Sequence, residues 1–239
     1  MHGLDFKEAW DLITKEEKLY AYHFTNASWA GAFIVSHQVS YESPVLLLFI
    51  LAYFEKGFEE ITPKVKEKNL EKAWEGWLIY AGKVLGNMSN YESFGHTKIV
   101  PSIEEKEFTE LVQLHPSYED KASLYRKIVD EILPLIQREI FNSKSPFTTI
   151  GFPEEGGVSA YYSRNMKKED RALIENYAEK ENFSLLNTRV FKTGEHKFTI
   201  TVASSEKTDP RVINYEGAEI TIQNGEFAQY LKDVVEELT

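Results

Sequence analysis

Residues 70–98 read LEKAWEGWLIYAGKVLGNMSNYESFGHTK, a helical pattern that runs directly into a polar and aromatic segment. Apolar residues recur at helical spacing up to Val84, which predicts an amphipathic helix packed against a core. Gly86-Asn87 is a typical end for such a helix. Residues 87–98, here named the signature loop, combine small, polar and aromatic side chains in one connector. Core packing does not require that mixture, so the loop is a candidate binding site.

The signature loop contains the groups that a peptide-sized ligand needs. Asn90 and Ser93 supply side-chain hydrogen-bond donors and acceptors, and Tyr91 and Phe94 supply flat apolar surfaces. Gly95 permits close approach of a ligand to the backbone. The alternative is a well-packed turn whose aromatic rings fill the core beneath it. Both interpretations are open at the level of these residues alone.

Composition excludes several classes of function. The chain has 239 residues, of which 42% are hydrophobic, and this is enough for a sizeable core. Lys and Arg number 27 against 38 Asp and Glu, a formal net charge of −11, so no nucleic-acid partner is expected. Because there is no cysteine, disulfides, thiolate zinc sites and cysteine nucleophiles are excluded.

Hydropathy gives no sign of a membrane partner. Residues 1–10 are charged and lack the apolar stretch of a secretory signal. The longest apolar run, residues 45–54, is about half of the roughly 20 residues that cross a bilayer. We therefore expect a cytoplasmic protein, with the apolar run as a core helix.

Secondary-structure signals predict an α+β fold. The Thr14-x-x-Glu17 capping box begins a long helix that continues past Phe33 and packs an apolar face with Leu19, Tyr22 and Trp29. Further helical patterns follow, among them one that starts at Ser43-Pro44 and one over residues 119–141. Residues 142–157 are rich in Ser, Pro, Thr and Gly, which indicates a connector and an internal boundary. The chain thus divides into a helical region, residues 1–141, and a small α+β region, residues 142–239.

The second region contains the strand signals. Residues 188–192 and 197–204 predict a hairpin, and residues 217–223 repeat the alternation of apolar and polar side chains. Residues 158–163 are also β-prone, and Asn165 is placed to cap a charged helix. The prediction is a small mixed or antiparallel β-core, followed by a last amphipathic helix.

The residues alone predict no catalytic or metal site. Zinc needs three or four converging ligands, commonly including two histidines one turn apart on a helix. His23 and His37 lie on one predicted helix about 21 Å apart, at about 1.5 Å per residue, so they cannot share a metal. Adjacent glutamates such as Glu16-Glu17 diverge at helix ends and are typical of solvated faces. We assign no catalytic residue, metal ligand or cofactor to this chain.

Several segments, in order and along nearly the whole chain, resemble the dipeptidyl peptidase III family of zinc-dependent exopeptidases. The segments are residues 17–23, 27–29, 38–44, 80–84, 87–98, 157–165 and 187–192. The resemblance implies a lower lobe with a small β-core that faces a helical upper lobe across a peptide-binding cleft. It also implies removal of dipeptides from peptide amino termini by a zinc-bound water, activated by the glutamate of a His-Glu-x-x-Gly-His helix. That motif does not occur in these 239 residues.

The resemblance also implies substrate-binding residues. Phe94 matches an aromatic side chain that helps to line a substrate subsite in the family, and Ser93, Tyr91 and Asn90 border the same cleft. His96 departs from the Asp that is usual in the family, so contacts near it are expected to differ.

Two functions remain open from the sequence. In the first, the chain is the amino-terminal lower lobe of a zinc dipeptidyl peptidase, inactive alone, whose partner is a catalytic upper lobe encoded beyond Thr239. In the second, it is a stand-alone, non-catalytic relative that binds short peptides. Both make short peptides the ligand, and neither places zinc in this chain.

Overall fold

The computed structural model describes residues 5–56, 59–145 and 147–239. Residues 1–4 of the amino-terminal segment and Pro146 of the predicted connector lie outside the described residues. Helices dominate the first part of the chain. They are α1 (Lys7–Leu12), α2 (Lys15–Ala30), α3 (Ala32–Val39), α4 (Ser43–Phe54), α5 (Thr62–Glu67), α6 (Glu71–Asn87), α7 (Glu105–Gln113), α8 (Leu124–Lys127) and α9 (Gln137–Ile140).

The second part is mixed. Its elements are a 3-10 turn (Pro153–Glu155), α10 (Lys168–Lys180), a 3-10 turn (Leu185–Asn187), β1 (Thr188–Gly194), β2 (Lys197–Ala203), β3 (Arg211–Tyr215), β4 (Ala218–Glu226) and α11 (Ala228–Leu238). The predicted α+β class is confirmed.

The four strands form one mixed sheet in the order β1-β2-β4-β3. β1 and β2 form the predicted antiparallel hairpin, β2 and β4 pair in parallel, and β3 pairs antiparallel with β4 at the edge. One face of the sheet is buried against α10. The buried side chains on it are Phe198, Ile200 and Ile220, which pack with Ile174 and Tyr177 of α10. β3 was not predicted from the sequence, because much of this short edge strand is exposed and its apolar alternation is weak.

The helical part has its own aromatic core. α4 is apolar nearly all round, and such a helix is expected to be buried. Phe49 of α4 lies 5.8 Å from Trp77 of α6, and Trp77 lies 5.2 Å from Phe108 of α7, both measured between ring centroids. Within the described ranges, no helix has the length and apolar composition that crossing a membrane requires.

The first long helix of the prediction is interrupted at Gly31, between α2 and α3. His23 and His37 therefore lie on two helices, so the separation expected along one helix does not apply. The predicted packed face is wrong in part: Leu19, Tyr22 and Trp29 are 57%, 59% and 47% exposed.

α11 crosses the predicted boundary and packs along α2. The Tyr230 ring stacks on Phe33 at 5.5 Å, and His23 Nδ1 lies 3.1 Å from Glu237 Oε2. The buried apolar residues form two clusters, one among the helices and one under the sheet. α11 belongs to the second predicted region but packs on α2 of the first. The division between residues 141 and 142 therefore stays a prediction.

Local details differ from the prediction at three places. α10 begins at Lys168, where the Lys167 amide donates to Asp170 Oδ2 at 2.9 Å, whereas Asn165 Nδ2 donates to the Lys192 carbonyl. Residues 158–163 make isolated bridges rather than a strand. The helix predicted over residues 119–141 is broken into α8, a π segment, a 3-10 turn and α9, since Pro134 removes a backbone donor and disturbs the preceding turn.

Gly157 marks a close approach of two backbone segments and provides a stability prediction. A Cβ at this position would lie 2.3 Å from the Gly151 Cα atom, so we expect Gly157→Ala to lower the free energy of unfolding by about 1–3 kcal/mol. A Cβ at Gly82, in α6, would meet nothing within 4 Å, so Gly82→Ala should raise it by up to about 1 kcal/mol. Urea unfolding measures both, and equal effects would contradict the packing described here.

Candidate functional site

The signature loop begins where α6 ends. Met88 takes the left-handed conformation, with φ 53°, and the Ser89 amide donates to the Val84 carbonyl at 3.1 Å. This turn closes the helix and directs the chain inward, so that the next two side chains enter the protein. Asn90 and Tyr91 are 0% and 1% exposed.

Asn90 uses its whole amide group to connect the loop to the start of α4. Its Oδ1 accepts hydrogen bonds from Ser40 Oγ at 3.1 Å and Ser43 Oγ at 2.8 Å. Its Nδ2 donates to Glu42 Oε1 at 3.2 Å. Buried amides are stable only when they are paired in this way. The Asn90 side chain therefore holds the loop and is enclosed by protein.

Tyr91 fixes the loop to a second segment. Its hydroxyl donates to the Phe147 carbonyl at 3.0 Å. Burial, and then the nearby Glu42 carboxylate, raise the pKa of Tyr91, so the hydroxyl stays a neutral donor. The backbone of Tyr91 forms a bridge with Lys98, which returns the chain to the same place.

A buried ion pair lies beneath the loop. Lys98 Nζ is 3.4 Å from Glu42 Oε1, and the two side chains are 1% and 2% exposed. Lys98 also donates to the Glu139 carbonyl. Burial lowers the pKa of Lys98, while Glu42 opposes that change. Glu42 thus bonds Lys98 and Asn90 with one oxygen and joins both ends of the loop to α4.

The tip of the loop, residues 92–97, stands outside this buried base. The Glu92 amide donates to the Thr97 carbonyl at 2.8 Å, and the Ser93 amide donates to Asn87 Oδ1 at 2.9 Å. Gly95 has φ 97°, a conformation that L side chains rarely adopt. These bonds present Ser93 and Phe94 outward, and Phe94 is 93% exposed.

A cavity of about 300 Å³ adjoins the tip. Its walls are Val35, Gln38 and Val39 of α3, Asn87, Ser89, Tyr91, Glu92, Ser93 and His96 of the loop, and Ile150 and Tyr161. The wall mixes apolar side chains with amide, hydroxyl, carboxylate and imidazole groups, as small-ligand sites do. Of the four predicted site residues, Ser93 and Tyr91 line this cavity, whereas the exposed Phe94 and the buried Asn90 do not.

The described residues do not fit a catalytic metal. No group of three or more His, Asp or Glu side chains in residues 5–56, 59–145 and 147–239 could hold an ion. Zinc sites in proteins use three or four such ligands. The zinc of the resembled family therefore has no ligand set among these side chains.

Comparisons with known proteins agree with the resemblance. The model of peptidase family M49 matches residues 132–239. A dipeptidyl peptidase 3 of Nematostella vectensis is 31% identical over 261 residues, which cover 98% of this chain and 35% of that protein. The resemblance to the dipeptidyl peptidase III family is confirmed. The human dipeptidyl peptidase 3 is also 31% identical, over 99% of this chain and 34% of its own length.

The relatives are much longer than this chain. A dipeptidyl peptidase 3 of Dictyostelium discoideum is 29% identical over 100% of this chain but only 33% of its own length. The chain thus spans about a third of the curated relatives it matches. The family is a metallopeptidase family, and the pairwise similarity includes the signature loop, whereas the family model matches only the part after residue 131.

Sequence reasoning missed the side chains that hold the loop. Ser40, Glu42, Ser43 and Lys98 form the buried base. Lys98 ends the predicted loop, but Ser40, Glu42 and Ser43 were not predicted to contact it. A signal was present, since Ser40, Glu42 and Ser43 are polar residues at the start of the most apolar helix of the chain. Buried polar groups next to an apolar helix need partners, and the signature loop supplies them.

Proposed function

We propose that this chain forms the amino-terminal, peptide-binding lobe of a dipeptidyl peptidase III-like zinc exopeptidase and hydrolyses no peptide by itself. The name of the relatives supports the substrate class, since a dipeptidyl peptidase acts on peptides. The catalytic upper lobe, with its zinc, is the proposed partner. A cytoplasmic location is part of the same proposal.

The exposed Phe94 ring at the tip of a fixed loop is the observation that carries this proposal. Burial of a phenylalanine side chain contributes about 1.5–3 kcal/mol of favourable free energy. The exposed Phe94 ring lacks this contribution in the free protein. The loop beneath it is held by Asn90, Tyr91 and Lys98, all of them buried. A ligand that covers the ring therefore gains apolar contact at a low cost in loop ordering.

The four predicted residues have different roles in this proposal. Phe94 packs against an apolar side chain of the peptide, and Ser93 offers a hydroxyl to its backbone. Tyr91 and Asn90 hold the loop in place, because their side chains are enclosed. The cavity beside the loop accommodates a neighbouring side chain of the peptide.

Peptide affinity tests the role of Phe94. We expect the chain to bind a tetrapeptide with apolar side chains and a free amino terminus, and Phe94→Ala to weaken that binding about tenfold or more. Titration calorimetry measures both. Tyr20→Ala is the matched control, because Tyr20 is 68% exposed on α2, outside the loop. Equal affinities of wild type and Phe94→Ala would contradict the proposed role.

Hydrolysis tests the second half of the proposal. We expect the purified 27.6 kDa chain, supplied with zinc, to release no product from a dipeptidyl arylamide above the buffer rate. Zinc-dependent release that copurifies with the chain through gel filtration would overturn the predicted inactivity. Binding without release is the combination that the proposal requires.

A further inference from the structure

A second and larger cavity, of about 640 Å³, lies away from the tip of the signature loop. It is placed between the turn that joins α3 to α4 and the segment that precedes α10. Its walls include Tyr41, Phe147, Val158, Ala160 and Phe191. The proposed peptide site leaves this cavity unused.

Arg164 is the charged group of this cavity that stands free of an acidic partner. Its guanidinium carbon lies 4.7 Å from the centre of the Tyr41 ring and 5.9 Å from that of Phe147. The ion pairs among the described residues do not include Arg164. A side-chain hydrogen bond to Tyr41 uses part of the N–H edge of Arg164. Stacking on aromatic faces holds the guanidinium in place and leaves the rest of that edge for a ligand.

The other polar groups of the wall already have partners. Arg189 Nε donates to Glu226 Oε1 at 2.8 Å, so its charge is neutralised within the sheet. Ser163 Oγ accepts from the Lys192 amide at 2.9 Å, and Ser159 Oγ accepts from the Tyr161 amide at 3.1 Å. The cavity therefore offers one available cation among apolar and aromatic surfaces.

We propose that this cavity binds an organic carboxylate with an apolar body, and that the Arg164 guanidinium donates a pair of hydrogen bonds to the carboxylate. Guanidinium and carboxylate match in geometry and in charge. The apolar body packs against Phe147, Val158 and Phe191. A single uncompensated cation suits a monoanion, and the net charge of −11 disfavours a phosphate dianion. The carboxylate belongs either to a small acid or to the carboxyl terminus of a peptide.

Titration calorimetry on the full 239-residue chain tests the site. The probes are N-acetylphenylalanine, its carboxamide, and an acetylated tripeptide that ends in phenylalanine as acid or as amide. We expect each acid to bind about tenfold or more tightly than its amide, since a charged hydrogen-bonded pair is lost in the amide. Tighter binding of the tripeptide acid identifies a peptide terminus as the ligand, and tighter binding of the single amino acid identifies a small acid.

Variants assign the effect to Arg164. We expect Arg164→Gln to weaken acid binding about tenfold or more, and Arg164→Lys to be intermediate because lysine keeps the charge but lacks the planar fork. Arg126→Gln is the matched control, since Arg126 also lies over a ring, 4.3 Å from the centre of Tyr118, but on α8 and outside this cavity. Phe94→Ala should bind the small acid as wild type does, which separates this site from the proposed peptide site.

Three outcomes would overturn the proposal. They are equal binding of acids and amides by the wild type, unchanged acid binding by a folded Arg164→Gln variant, and no binding of any probe at about 10 mM. Near-ultraviolet circular dichroism checks that each variant is folded. If Arg164→Gln does not fold, the comparison of acid with amide on the wild type and the Arg164→Lys variant decide the matter.

Discussion

Replacing Lys98 with methionine is expected to lower the free energy of unfolding by about 3–5 kcal/mol, because it leaves the Glu42 carboxylate buried without its cation. The Glu42 carboxylate has few other groups to stabilise its charge. Its Oε1 is shared by Lys98 and Asn90, and its Oε2 has no hydrogen-bond partner among the described residues. Urea unfolding of Lys98→Met against wild type measures the loss.

Two further variants show whether burial is the cause. Lys106→Met removes a cation from an exposed pair, 3.7 Å from Glu110, and should cost about 1 kcal/mol or less. The double variant Glu42→Gln/Lys98→Met removes both charges of the buried pair and should recover much of the loss, since no buried charge remains. If Lys98→Met costs no more than Lys106→Met, the ion pair does not hold the loop as described.

The stability of the helical core is expected to fall by about 3 kcal/mol as the pH falls from about 6.5 to about 4, because of His115. Its ring is 3% exposed and stacks on Tyr125 at 3.8 Å. Its Nδ1 accepts from the Ser117 amide at 3.1 Å, which requires the ring nitrogen to be unprotonated. Burial, and then the cations Lys56 and Lys64, lower the pKa of His115 to about 4 against the opposing effect of Glu60.

The direction of the pH effect follows from the two states. The unfolded chain binds a proton at His115 below pH 6.5, whereas the folded chain does so only below about pH 4. Within this window protonation favours unfolding. The effect is present in full below pH 4 and absent above pH 6.5.

A variant separates His115 from the carboxylates that titrate in the same range. His115→Gln keeps a hydrogen-bond acceptor but does not titrate, so the stability difference between wild type and variant should change by about 3 kcal/mol across the window. Guanidinium unfolding at a series of pH values measures that difference. A difference that is constant with pH would contradict a neutral, buried His115.

Strong local signals made part of the fold predictable from the sequence. The Thr14 capping box, the start of α4 at Ser43-Pro44 and the hairpin of β1 and β2 depend on neighbouring residues, and the structure has all three. The formation of β3 depends on its partner strand, and the exposure of Leu19, Tyr22 and Trp29 on α2 depends on which elements pack beside that helix. Neither is determined by the pattern of its own segment.

The location of the candidate site in the sequence was predicted, but the arrangement of its side chains was not. Composition indicated that residues 87–98 are unusual, but it could not tell that Asn90 and Tyr91 are buried while Phe94 is exposed. Their burial depends on Glu42 and Phe147, which are remote in the sequence and contribute through the fold. The larger cavity was missed for the same reason, since Tyr41 and Arg164 meet only after folding.

An NMR titration of the chain with a tetrapeptide bearing a free amino terminus locates the peptide-binding surface. We expect the largest amide shifts at residues 92–96 and along the adjoining wall of α3, and we expect Phe94→Ala to abolish them at the same peptide concentration. Shifts confined to other surfaces, or none at about 5 mM peptide, would contradict a peptide-binding loop that presents Phe94.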